Sequence, residues 1–485
     1  MAKQNEFNLR ISMKLLNRLV LPALLCCFAL LAAAQKGYKI HFRIKGLKDT
    51  SCLIANYYGN GTYIKDTVKL DKLGRCIFSA QEDLPKGTYI FIITDKTYFD
   101  FIVNNDKDFS METDKSSTLK AMVIKGSPEN SLFYDYLKFN KQEYDIVQKI
   151  QKEIDKHSKN TDSAKVLTDS ISKLNKVIIQ YKLNIVKQNP KSFLAFMINI
   201  MKEPEIPEAL TMPNGLKDSA SAYRYYRNHF WDDVDFGDDR DLRTPVFHAK
   251  LAKYFDKVLP QSPDTIINEA DFLIEKSRIN PEMFKYMLWF VTRQYENSDI
   301  MGFDKIFVHV VNKYYVTNQT PWVNETVKKE LIKKAAKMEG LLIGKRPPNM
   351  IMQDTNLQLV SMYNITARTL LILFWDPECG HCEQEIPKLK NFYDSEREKF
   401  GLEIFAVCSD SSMVKMKNYI KKKNIQWINV NGPRTLTGEY HGQYDIATTP
   451  VIYILNEHKE IIAKRLTVDQ IEKFLENYYR KKEKK

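Results

Sequence analysis

Apolar and polar residues alternate strictly over the first ordered-looking stretch of the chain. Tyr38, Ile40, Phe42 and Ile44 are interleaved with Lys39, His41, Arg43 and Lys45. A period of two predicts a strand with one buried face. Asn60-Gly61 marks a hairpin turn between the runs Leu53–Tyr58 and Thr62–Leu70. Gly74, Pro85-Lys86-Gly87 and Asn104-Asn105 punctuate further short runs. Short strands so spaced predict a β-sandwich-like domain over residues 36–126.

The period then lengthens. Leu167, Ile171, Leu174 and Ile178 recur three and four residues apart, the stripe of an amphipathic helix. With residues 130–160 this predicts a long helical hairpin. Helical patterns return at Ser192–Met201, Val246–Val258, Asp264–Ser277 and Glu325–Met338. Residues 129–340 are therefore expected to form an α-helical middle domain.

From Gly344 strands and helices alternate, which predicts an α/β domain over residues 342–485. Leu370–Trp375 is a continuous apolar run, as a central strand buried on both faces requires. An amphipathic helix follows, carrying Ile386, Leu389, Tyr393 and Phe400. Leu402–Val407 and Gln426–Val430 read as strands around a helix at Met413–Lys423. Val451–Leu455 and Ile461–Leu466 read as a hairpin, and Thr467–Tyr479 as a closing helix. The expected architecture is multidomain: β-rich, then helical, then α/β.

The first 34 residues follow a different pattern. Lys14 and Arg18 precede an apolar run, Leu19–Leu31, and Ala32-Ala33-Ala34 closes it. A positive segment, a short apolar segment and small residues make an export signal. The run is too short for a stable membrane span. Met13 is an alternative start. Neither Cys26 nor Cys27 follows the small residue that lipid attachment requires. The mature chain is expected in the periplasm or another extracytoplasmic compartment, without a stable transmembrane span.

Charge changes this picture little. The chain carries a formal +13. Its lysines are spread along helices, apart from the tail Arg480-Lys481-Lys482-Glu483-Lys484-Lys485. Without a zinc-finger or aromatic–basic motif, no nucleic-acid partner is expected. Six aspartates lie between Trp231 and Asp241. Their spacing does not fit an EF-hand, and a loop with helix-capping aspartates is the better reading.

Cysteine carries the candidate chemistry. Export would remove Cys26 and Cys27, leaving Cys52, Cys76, Cys379, Cys382 and Cys408. Cys52 and Cys76 are either a disulfide or two buried free thiols. Cys379-Gly380-His381-Cys382 falls at the start of the amphipathic helix. There free backbone N–H groups and the helix dipole favour a thiolate on Cys379. A protonated His381 would add to this. Cys382, one turn in, is placed to resolve a mixed disulfide. Glu385 lies on the same helical face and is a candidate proton acceptor for Cys382. No second Cys/His pair completes a zinc site, so no metal is expected. Glu383 stands where a c-type haem motif needs His. Cys408, at a strand end, reads as core.

Phe374-Trp375, Cys379/Cys382, Glu385, Pro387 and Pro450 together resemble the thioredoxin superfamily, and within it the exported TlpA/ResA-like thiol–disulfide oxidoreductases. The resemblance covers residues 342–485. It implies a thioredoxin fold, a redox-active Cys379–Cys382 pair needing no cofactor, and a cis bond at Thr449–Pro450 that offers backbone to a substrate. Trp375, Gly380, His381, Thr449 and Pro450 would then line or tune the substrate groove. Two positions depart from the family. Glu378 replaces the Trp before the first cysteine, and Leu373 replaces the buried Asp of cytoplasmic thioredoxins. Partners implied are protein thiols or disulfides and an upstream redox partner. The Gly-His dipeptide of the motif resembles that of protein disulfide isomerase, whereas the frame implies a reductase. A binding or assembly protein working through its N-terminal modules is the alternative from another class. A thiol peroxidase is weaker, because Asp376 stands where a peroxiredoxin needs Thr or Ser. Cleavage is expected after Ala34; N-terminal sequencing of the mature protein that begins at Met1 or Met13 would refute it.

Overall fold

The computed structural model describes residues 37–94, 96–156, 161–207 and 218–483. The segment expected to direct export, residues 1–34, lies outside the described residues. The chain divides into two compact units, the first ending at Tyr254 and the second running from Phe255 to Lys485.

The first unit opens with eight strands: β1 (Tyr38–Lys45), β2 (Ser51–Tyr58), β3 (Gly61–Lys69), β4 (Arg75–Ala80), β5 (Gly87–Thr94), β6 (Thr97–Val103), β7 (Asp108–Asp114) and β8 (Val123–Lys125). They form two four-stranded sheets, ordered β4-β1-β7-β8 and β3-β2-β5-β6. β1 pairs antiparallel with β4 and parallel with β7. The alternation in β1 places Ile40, Phe42 and Ile44 in the core. Phe42 meets Phe91 and Phe101 from the other sheet, at 4.7 and 5.3 Å between ring centres. The β2–β3 turn is Gly59-Asn60, one residue before the expected dipeptide, with Gly59 at φ 60°. Cys52 and Cys76 are both free thiols within this core.

Helices follow: α1 (Pro128–Lys156), α2 (Thr161–Gln188), α3 (Phe193–Met201), α4 (Ser219–Asn228) and α5 (Phe247–Lys253). α1 and α2 pack as the expected hairpin. The aspartate-rich stretch serves largely as turns and caps. Asp235 accepts from the Gly237 N–H, and Asp238 accepts from the Arg240 N–H. Among the described residues no three His, Cys, Asp or Glu side chains gather as a metal-ligand set.

The second unit continues with α6 (Pro263–Lys276), α7 (Pro281–Tyr295), α8 (Asp304–Val310) and α9 (Glu325–Glu339). The α/β part then runs β9 (Ile351–Asp354), β10 (Leu359–Ser361), β11 (Thr369–Trp375), α10 (Gly380–Phe400), β12 (Leu402–Cys408), α11 (Met413–Lys423), β13 (Ile428–Thr435), α12 (Tyr440–Gln443), β14 (Val451–Asn456), β15 (Ile461–Lys464) and α13 (Val468–Glu483). Its seven-stranded sheet has the order β10-β9-β13-β12-β11-β14-β15. β11 is central: β12 runs parallel on one side and β14 antiparallel on the other. All seven of its residues are buried, and side chains from its two faces enter two separate apolar clusters. The β9–β10 hairpin adds an edge that local pattern did not announce. Gly401 ends α10 at φ 55°, where a Cβ would lie 2.9 Å from the Arg368 Cβ, so glycine satisfies both torsion and space. Among the described residues no helix is long and apolar enough to cross a membrane.

Helices and sheet in this unit are joined by a buried charge. Lys464, ending β15, pairs with Asp304 at the start of α8; their side chains are 10% and 13% exposed. Lys464 Nζ also donates to the Leu341 carbonyl at 2.7 Å. Breaking such a pair from one side leaves a buried charge unpaired, at a cost of roughly 3–5 kcal/mol. Asp304→Ala should therefore lower Tm by about 6–12 °C in a unit of this size, using about 3 kcal/mol. Adding Lys464→Met should recover part of the loss. Calorimetry finding the single variant within about 2 °C of wild type would refute the clamp.

Candidate active site

The site begins with the depth of β11. Its last residue, Trp375, is 1% exposed, and the chain must leave the sheet there to reach solvent. Asp376 makes the turn. Its Oδ1 accepts from the Glu378 N–H at 2.8 Å, and its Oδ2 accepts from the Ser409 hydroxyl at 2.9 Å. Cys379 then takes the N-cap position of α10, with extended backbone at φ −79° and ψ 119°. Its sulfur accepts the Cys382 N–H at 3.4 Å. In the thiol form the same sulfur donates to the Thr449 carbonyl at 3.2 Å. The Thr449–Pro450 bond is cis. The two cysteines and the Thr449-Pro450 segment, 70 residues apart in the chain, thus meet at one end of the sheet.

The two sulfurs differ in depth. Cys379 is partly exposed and Cys382 fully buried. For Cys379, burial disfavours the thiolate. The side chains of Thr449 and Cys382 and the backbone N–H groups of Cys382 and His381, all hydrogen bonding to the thiolate, outweigh it, so the thiol lies below its ordinary value. For Cys382, burial dominates and pushes the thiol up to about 12, although the Asp376 backbone N–H opposes the shift. Both are free thiols here.

The remaining expected residues fall in three places. His381, Glu385 and Pro450 line a groove of about 500 Å³. The His381 contribution to Cys379 comes through its backbone N–H rather than its ring. Glu385 is half-buried and pairs with Lys388 at 2.7 Å. Gly380 is exposed, and a Cβ there would meet nothing within 4 Å. Trp375 requires correction: it does not line the groove. Its indole packs in the core at 5.0 Å from the Tyr419 ring, because it ends a strand covered on both faces. Leu373 lines the groove as part of its apolar floor. Glu378 is on the surface, paired with Lys415 at 2.8 Å. Cys408 is core, beside Trp375 across β11 and β12, and its thiol is pushed up to about 12 by burial.

Local pattern missed several neighbours. Asp376 and Ser409 lock the turn, and the Asp before a helix start was the available signal. Asp445 and Arg465 form an ion pair at 2.6 Å on the groove and share left-handed backbone, at φ 52° and 57°. Nothing in the local sequence brings them together.

Residues 343–464 match the AhpC/TSA family model. A thiol–disulfide oxidoreductase ResA from Bacillus cereus is 25% identical over 146 residues, which are 30% of this chain and 82% of that protein. The C-terminal domain belongs to the thioredoxin superfamily of thiol–disulfide oxidoreductases. It makes this protein an oxidoreductase enzyme. Among solved structures, a domain of a possible thiol-disulfide isomerase from Cytophaga hutchinsonii is 34% identical, with 30% of this chain and 97% of that one covered and a TM-score of 0.28. A thioredoxin-like protein from Bacteroides caccae is 19% identical, covering 56% and 97%, with a TM-score of 0.44. Residues 38–133 and 147–339 match two models described as domains of unknown function, DUF4369 and DUF5106.

The unequal sulfurs make a direct chemical test. Iodoacetamide should modify Cys379 with a pH midpoint below about 8.5, the ordinary thiol value, because a lowered thiol ionises at lower pH. Cys382 and Cys408 should stay unmodified in the folded protein. Mass spectrometry finding Cys382 labelled as fast as Cys379, or a midpoint above that value, would reject the assignment.

Proposed function

We propose that the protein is an exported thiol–disulfide oxidoreductase that exchanges its Cys379/Cys382 pair with protein substrates. The observation carrying this reading is the inequality of two sulfurs at one helix start. Cys379 is reachable and favours its thiolate; Cys382 is buried and protonated.

The resemblance to the TlpA/ResA-like group supports writing the reaction as substrate reduction. The Cys379 thiolate attacks one sulfur of a substrate disulfide. The substrate S–S bond breaks, its other sulfur leaves as a thiolate, and a mixed disulfide forms. Cys382 then loses its proton and attacks the Cys379 sulfur. The mixed disulfide breaks, the second substrate thiolate leaves, and the Cys379–Cys382 disulfide remains. Two electrons pass to the substrate. The Thr449-Pro450 segment offers backbone to the bound strand, and Gly380 keeps the approach to the sulfur clear.

The second step needs a base. A thiol near 12 is ionised to only about one part in 10⁵ at pH 7. Glu385 is the proposed acceptor, one helical turn beyond Cys382 and open to the groove. The N-terminal strands are read as a β-sandwich and, with the helical stretch, as a scaffold for recognising partners. The division 36–126, 129–340 and 342–485 is kept as the proposed domain plan. Ala32–Ala34 supports export to the periplasm or outside.

The test is trapping in the native compartment. Cys382→Ser should accumulate dithiothreitol-sensitive adducts on non-reducing gels, since the resolving thiol is gone; Cys379→Ser should trap little and show no turnover. Glu385→Gln should stay folded and exchange about 10²-fold more slowly. Equal adducts from both cysteine variants would reverse or dissolve the roles. Adducts from neither would favour a binding protein, and a wild-type rate in Glu385→Gln would remove the proton role.

A further inference from the structure

The groove beside the sulfurs is not built by the α/β part alone. Its rim includes Asp299, from the loop between α7 and α8. The same aspartate, with Asp445 and Arg465, also lines an adjoining cavity of about 340 Å³ between that loop and β15.

The loop is held from both ends. Lys334 donates to Asn297 at 2.6 Å and pairs with Glu296 at 3.3 Å. Met301 packs against the apolar cluster that contains Cys382. Beyond it lies the Lys464–Asp304 pair. The backbone carrying Asp299 is therefore anchored on both sides at the groove rim, and its side chain is exposed there.

Three carboxylates, Asp299, Glu385 and Asp445, line the groove together with His381 and the Arg465 guanidinium, and pairing leaves only one of the three unopposed. Arg465 is engaged by Asp445, and Glu385 by Lys388. The Asp299 carboxylate has no ion pair or hydrogen bond among the described residues. The chain as a whole is strongly basic, at +13, so any attraction for a basic segment is local. Screening confines it to roughly 8 Å at physiological salt.

We infer that Asp299 is a specificity residue, selecting substrate strands that carry Lys or Arg beside the reactive cysteine. The inference rests on the oxidoreductase reading and adds the class of substrate and a residue from the helical stretch. Asp299 moves no proton and touches no sulfur. It supplies a counter-charge to the strand presented to Cys379.

The experiment uses the full chain, reduced with dithiothreitol and then freed of it, in single turnovers. Two peptides with the same internal disulfide are compared, one flanked by Lys and one by Glu. Wild type should prefer the Lys peptide by about 3- to 10-fold at low ionic strength, through the half-saturating concentration rather than the limiting rate. The preference should shrink in high salt. Asp299→Lys should bring the ratio to one or below, and Asp299→Glu should keep it. Asp155→Lys makes the same charge change on α1 and should also keep it. A wild-type ratio in Asp299→Lys, or an equal loss in Asp155→Lys, would overturn the inference. Turnover of both peptides without preference would overturn it and leave the oxidoreductase reading standing. Turnover of neither by folded wild type would overturn both.

Discussion

Complete burial of β11 is the constraint on which the candidate site depends. A strand with neighbours on both sides and apolar clusters on both faces cannot shift register without moving every contact at once. Its end therefore occurs at a fixed depth, and the turn through Asp376 brings the chain out at a fixed point at the end of the strands. α10 has to begin there, and its first free N–H groups have to face whatever stands at the cap. Cys379 stands there. The thiolate-favouring environment is thus a property of where a strand ends and a helix starts, and only then of the side chain that occupies the place.

From this follows the difference between the sulfurs. One helical turn carries the chain from the rim into the apolar layer between α10 and the sheet. Cys382 lands in that layer beside Ile386 and Leu389. Depth alone separates two identical thiols into a nucleophile and a reserve. The substitution of Glu378 for Trp is absorbed at the surface, where Lys415 pairs with it, so the departure leaves the sulfur geometry to the cap and to Thr449.

Much of this was legible in the residues because it is local. The alternation of β1, the continuous run of β11, the stripe along α10 and the Cys-x-x-Cys spacing each express a period or a motif within a few residues. What stayed illegible is apolar over most of its surface or depends on distant partners. α7 is one case: Met283, Phe284, Tyr286, Met287, Leu288, Phe290 and Val291 are all buried, and the outward strip of Glu282, Lys285, Trp289 and Arg293 is too narrow, and broken by a tryptophan, to make its period stand out. Trp375 is a different case: the apolar run already placed it in a strand buried on both faces, and that burial, with Tyr419 against its indole, excludes the groove role that the resemblance implied. The change of pattern near 342 is real as local periodicity. Compactness instead groups the chain from Phe255 onward, because pairs such as Lys464 with Asp304 leave no trace in any short window.

Cys52, Cys76 and Cys408 are all buried and all free. Once the cores have closed, burial shields Cys52 and Cys408 almost fully and Cys76 to all but 9% of its surface, and they behave as small apolar side chains. Before closure they are as available as the reactive pair. Their danger is therefore confined in time, to the interval between synthesis and completion of the cores. In an oxidising solution folding becomes a race against scrambling. A substitution that slows core closure would then be recorded as covalently mispaired chains, which do not return to the native state when the original conditions are restored.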